Sequence, residues 1–173
     1  MNSTRKIAVI TGVLFILATL TGPLLATPLM PDLTGTDYLA GVSAHMNQAA
    51  GGVLLWIIAA FASAGIAIAM YPVLKERNVG LALGSVVFRA LEAGFYMVGL
   101  VCLLSLLTLG QQFRTAGAAD RAVLQAIGDS LVSVREYAGL LAVFALCVGA
   151  FMYYYLPIFR YPSIGVRLGA IAP

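Results

Sequence analysis

The sequence predicts an all-α fold: a polytopic membrane bundle of four transmembrane helices, with a short interfacial helix in the third-to-fourth loop. Three observations predict it. Of 173 residues, 61% are hydrophobic and only 10% charged, against roughly 25% charged in a soluble domain. Mean hydropathy is +0.97, an excess that no packed soluble core of this length absorbs, so lipid must solvate much of the surface. The apolar residues also gather in four stretches long enough to cross a bilayer, which takes about 20 residues as helix. None alternates with the period of two that a barrel strand requires. The length allows one domain, residues 1–173.

The first span, about residues 7–25, follows Arg5-Lys6 and carries Gly22-Pro23 near its end. That basic flank and apolar run also resemble a secretory signal. The run is long, however, and Ala26-Thr27-Pro28 is a poor cleavage site because of its proline, so an uncleaved span is expected. Asp37 is placed to cap a short helix through Tyr38-Leu39-Ala40, lying on the membrane before the second span turns in. The second span, about 49–70, is closed by Tyr71-Pro72 and then Lys75-Glu76-Arg77. The third starts near Val79 and covers about 81–109. From Ala118 to Val134, apolar Val123, Leu124, Ile127, Leu131 and Val134 recur at helical spacing. That pattern predicts an amphipathic helix at the outer interface, running into the fourth span. The fourth covers about 137–156 and is stopped by Pro157.

Basic residues orient the spans. Arg5, Lys6, Lys75, Arg77, Arg160 and Arg167 fall on one side; Arg114, Arg121 and Arg135, mixed with Asp120, Asp129 and Glu136, fall on the other. The loop from Met30 to Gln48 has no Lys or Arg but holds Asp32 and Asp37. Both termini are therefore expected to be cytoplasmic. Tyr71, Tyr153, Tyr154, Tyr155, Phe159 and Tyr161 gather at that same interface, where amphipathic rings prefer to sit.

The composition excludes several classes of function. Net charge is +3, but the basic residues are scattered without interleaved aromatics, which argues against a nucleic-acid partner. Cys102 and Cys147 fall inside apolar spans, with no Cys-x-x-Cys and no neighbouring histidine, so they read as small packing residues rather than a disulfide or metal ligands. His45, the only histidine, is expected in an external loop as a solvated side chain. No Gly-rich phosphate loop, nucleophile elbow, His-Glu-x-x-His or haem-ligand pair is present. No catalytic set, metal site or cofactor is expected.

What remains is a polar stripe inside the third span. Ser85, Arg89, Glu92, Tyr96 and Gly99 step by four, three, four and three residues, so they share one helix face. Arg89 lies ten residues past Val79, ~15 Å along the axis, which puts Glu92 near the bilayer midplane. An ionisable residue there costs several kcal/mol and faces a bundle interior or a wet cavity, with a partner. On one reading Glu92 and Arg89 form a proton- or ligand-coupled site. On the other they are an internal ion pair that sets helix register; an arginine at (i, i+3) holds a carboxylate ionised and makes it a poor proton carrier. Gly80 and Gly84, together with Gly99, offer small surfaces where another helix can approach. Arg135-Glu136 reads as a pair snorkelling to the interface. Ser63 is expected to bond back to its own helix, and Trp56 to pack.

Tyr71-Pro72-Val73-Leu74-Lys75, Leu81-Ala82-Leu83-Gly84, Phe88-Arg89 with Glu92, Leu103-Leu104-Ser105-Leu106-Leu107-Thr108-Leu109 and Tyr154-Tyr155-Leu156 resemble the DUF4386 family of uncharacterised bacterial multi-pass membrane proteins. Phe-Arg-x-x-Glu is the most distinctive part. The resemblance implies a helical membrane fold in a bacterial cytoplasmic membrane and no assigned activity. It also implies further spans, whereas this sequence ends at Ala170-Ile171-Ala172-Pro173, as a homologue shortened at its C-terminus or a fragment would.

Two classes of function are compatible with these features. The first is a structural or partner-interacting bundle, packing with a second copy or another membrane protein amid membrane lipids, with Arg89 and Glu92 architectural. The second is a small transporter or intramembrane ligand-binding protein that uses Arg89 and Glu92. The sequence favours the first, because four spans without an inverted repeat or paired broken helices do not make a self-sufficient transporter.

Overall fold

The computed structural model describes residues 3–35 and 37–158. Among the described residues there are five α-helices: α1 (Ser3–Thr19), α2 (Tyr38–Ala44), α3 (Met46–Leu74), α4 (Val79–Thr115) and α5 (Ala118–Ile158). Four stretches of these residues are long and apolar enough to cross a membrane: Arg5–Leu29, Met46–Leu74, Val79–Thr115 and Ala118–Met152. The expected all-helical membrane architecture is what the chain adopts. Tyr153, Tyr154 and Tyr155 have no described side chains, and Phe159, Arg160, Tyr161 and Arg167 lie outside the described residues.

The first span outlasts its proline. α1 continues as a π-helical turn over Leu20–Ala26, with Pro23 inside it, and then as a 3-10 turn over Thr27–Leu29. A wider turn accommodates a residue that cannot donate to the helix ladder. α3 likewise runs through Pro72 and ends at Leu74. The Asn78 side chain accepts from the Leu81 backbone N–H at 3.0 Å and starts α4, one of the polar caps that satisfy orphan helix donors.

The segment 118–134 is helical and runs into the fourth span as expected, both within α5, and only Ala116 and Gly117 separate α4 from α5. Arg121 closes this turn: its Nε donates to the Ala116 carbonyl at 3.1 Å and its guanidinium lies over Phe113. α2 forms where Asp37 announces it, yet no side-chain cap bond is made. The Asp37 carbonyl accepts instead, from Ala40 and Gly41 at 3.1 and 3.3 Å.

With 37 and 41 residues, α4 and α5 reach ~55 and ~60 Å, well beyond a ~30 Å hydrocarbon core. We call the side carrying the 75–78 turn the turn end and the opposite side the far end. At the far end α2 packs on α4, where a core of Tyr38, Leu39, Val42, Ala49, Leu106 and Leu107 is buried. Gly110 of α4 faces the Leu39 backbone carbonyl, and Gly128 of α5 faces the Tyr38 phenol. The Tyr38 hydroxyl donates to Asp129 at 2.9 Å.

The long helices pack in series, α1 on α3, α3 on α4 and α4 on α5, with no comparable contact between α1 and α5 among the described residues. Four helices so joined form an open arc. A cleft lies between its two ends, floored by α3 and α4.

Candidate functional site: a polar triad on the floor of an intramembrane cleft

The charges of the third span meet α3. Arg89 Nη1 lies 3.0 Å from Glu92 Oε2 and donates to Ser63 Oγ at 2.8 Å. The Ser63 hydroxyl in turn donates to Glu92 Oε1 at 3.3 Å. Arg89 and Glu92 are three residues apart on α4, so one helix turn brings them together. Ser63 comes from α3 and does not bond back to its own helix; the expected i−4 bond gives way to two charged partners, which make stronger hydrogen bonds. Glu92 is 4% exposed. A carboxylate so buried requires this pairing, since leaving an ion unpaired in a dry interior is costly.

Arg89 is less completely enclosed, its side chain 21% exposed. Both of its hydrogen bonds use Nη1. Among the described residues, Nη2 and Nε have no hydrogen-bond partner. The guanidinium lines two segments of the cleft. The middle segment, ≈ 280 Å³, also holds Ser63, Glu92, Trp56, Tyr96 and Phe15. The turn-end segment, ≈ 330 Å³, is walled by Thr11, Gly12 and Ala67, and Ala150 of α5. A third segment, ≈ 260 Å³, opens toward the far end; it shares Trp56 and Tyr96 with the middle one and adds Met30, Gly99, Arg135 and Gly139. Trp56 does more than pack: its ring lies 5.4 Å from that of Tyr96, tilted by 32°.

The other residues singled out in the sequence take varied places. Ser85 is 1% exposed and its hydroxyl has no partner among the described residues; it lines none of the three segments. Gly84 faces Met152 of α5, and Gly99 faces the Arg135 stem. Gly80 is exposed and meets only the side chain of Asn78. Cys102 is buried, whereas Cys147 is exposed on the apolar surface. His45 is exposed, its Nδ1 3.3 Å from the Gly41 carbonyl. Missed in the sequence were Ser63, Trp56 and Arg135 as cleft residues. Ser63 carried a faint signal, a hydroxyl in an otherwise apolar span whose partner could be any charge on a neighbouring helix.

A model of one protein family matches residues 10–169: domain of unknown function, DUF4386. No curated protein and no solved structure matches the chain. The match covers most of the chain, including the triad and, Ala8 apart, the residues that line the three cleft segments.

The chain belongs to the DUF4386 family.

Proposed function

We propose that this DUF4386 member is a membrane-embedded binding protein, without catalysis, whose cleft receives a small amphipathic ligand against Ser63, Arg89 and Glu92. The single observation that carries this is the Arg89 guanidinium: it spends one nitrogen on protein partners and turns toward two joined cleft segments. A purely architectural pair has no use for an adjoining cavity, whereas binding sites are concave, mostly apolar and carry a few placed polar groups. The cleft thus reverses the order in which the sequence weighs the two classes.

An architectural role persists beside it. Ser63 joins the ion pair across α3 and α4, and such cross-helix polar contacts add to packing in lipid. The same chain, on this proposal, sits in a bacterial cytoplasmic membrane with both termini cytoplasmic, supported by the six basic residues of that side.

Trp56 is the only tryptophan of the chain and lines two of the segments, so its fluorescence reports occupancy. A dibrominated fatty acid added to the detergent-solubilised protein should quench it saturably. Gly139→Leu should reduce that quenching, because a side chain at Gly139 meets nothing within 4 Å and projects into the far-end segment. Quenching that rises without saturation, equal in both proteins, would reduce the cleft to ordinary lipid-facing surface.

A further inference from the structure

We propose that the far end of the cleft is a site for an anionic lipid: Arg135 takes the phosphate headgroup, and the cleft below it takes the acyl chain. This rests on the reading of the cleft as a binding cavity and names the ligand class. Arg135 has no hydrogen bond or ion pair to any described residue, and its stem packs on Gly99 of α4, where an added Cβ would lie 3.6 Å from its Cγ. The side chain thereby stands at a segment of ≈ 260 Å³ walled by Met30, Trp56, Tyr96, Leu100 and Gly139. No carboxylate lines that segment. Glu136, the next residue, is exposed, and successive helix residues do not face each other.

Charge selects the ligand. Gly99 lies seven residues beyond Glu92, ~10 Å along α4 toward the far end, still within the apolar span. A guanidinium that leaves α5 at this level without a protein partner is costly in hydrocarbon and calls for an anion, and the cleft continues past Trp56 and Tyr96 to Arg89. A guanidinium presents a planar fork that matches phosphate oxygens in pairs. The aromatic pair supplies an apolar wall for the methylenes.

The test compares two single-chain probes with the same brominated acyl group, lysophosphatidate and lysophosphatidylcholine, read by Trp56 quenching in the full chain. Lysophosphatidate should half-saturate at a concentration about tenfold lower, the gain of a net negative phosphate over one whose charge a choline cation offsets. Arg135→Gln should erase the difference, and Arg135→Lys should keep part of it. Equal, saturable quenching by both probes overturns the headgroup assignment and leaves the binding cleft standing. Non-saturable quenching by both, unchanged in Gly139→Leu, removes the cleft reading itself and this inference with it. Displacement of lysophosphatidate by inorganic phosphate at similar concentrations would make this a free-anion site and overturn the lipid assignment. The comparison of probes uses the unaltered chain, so it decides even where Arg135→Gln does not fold.

Discussion

At the scale of single residues, the triad couples two charges and a hydroxyl across α3 and α4. Removing one charge of a buried pair costs about 3–5 kcal/mol when its mate is left in a dry interior, and less here because the Arg89 side chain keeps 21% exposure. Arg89→Gln and Glu92→Gln should each lower the thermal midpoint in detergent, and the double variant should lose less than the sum. Strict additivity would mean the two charges do not feel each other. If the single variants fold normally but lose Trp56 quenching by the brominated fatty acid, the pair serves binding alone. Tyr38 makes a second residue-scale prediction. Burial first, and then its bond to Asp129, push its phenol above the ordinary value of 10.0. A raised folded pKa means the neutral phenol is the stabilising form: its contribution is complete below about pH 10 and is lost as pH climbs above that. Tyr38→Phe should therefore cost about 1 kcal/mol at neutral pH. The gap to the parent protein should narrow above pH 10; a gap that stays constant would show the phenol is not coupled to folding.

At the scale of helices, glycines decide where backbones meet. In lipid there is little hydrophobic gain from bringing two apolar helices together, so close approach and shape carry the association. A Cβ on Gly110 would fall 2.7 Å from the Leu39 backbone carbonyl, which belongs to a packed helix and cannot swing away. A Cβ on Gly84 would fall 2.6 Å from the Met152 sulfur, the far part of a flexible side chain. Gly110→Ala should thus destabilise the protein more than Gly84→Ala, as read by thermal unfolding in detergent; the reverse order would refute the backbone argument. Gly84→Leu should still weaken the α4–α5 contact more than Leu83→Ala does, because Leu83 is 52% exposed and has little packing to lose. The π-helical turn at Pro23 belongs to this scale too, since it lets Gly22 meet Ala59 and Trp56 of α3.

At the scale of the whole molecule, the arc and its orientation can be checked separately. With Cys102 and Cys147 removed, a cysteine in place of Thr34 should react with a membrane-impermeant reagent applied from the periplasmic side, and one in place of Glu76 should not. The opposite pattern would invert the topology. Both positions are exposed, so access depends on the side of the membrane alone. The open arc also explains why one cleft spans the depth of the protein: α1 touches α3 and α5 touches α4, but nothing among the described residues joins α1 to α5 comparably.

The sequence by itself determined what depends on neighbours along the chain. Apolar runs set the number and place of the spans, and a 3.6-residue period set Arg89, Glu92 and Tyr96 on one stripe. Family membership was legible for the same reason, in local motifs such as Phe88-Arg89 with Glu92. Only the tertiary structure decided that Ser63, on a different helix, would complete the triad, that Gly110 and Gly128 would receive α2, and that Arg135 would line one cavity with Trp56 and Tyr96. Hydropathy could not foretell these. In a soluble protein the apolar face of a helix marks its contact, but in lipid every face is apolar, and lipid tails are as good a neighbour as leucine. Which stripe meets which helix is then settled by the fit of small residues and the pairing of buried polar groups, and both require partners distant in the chain.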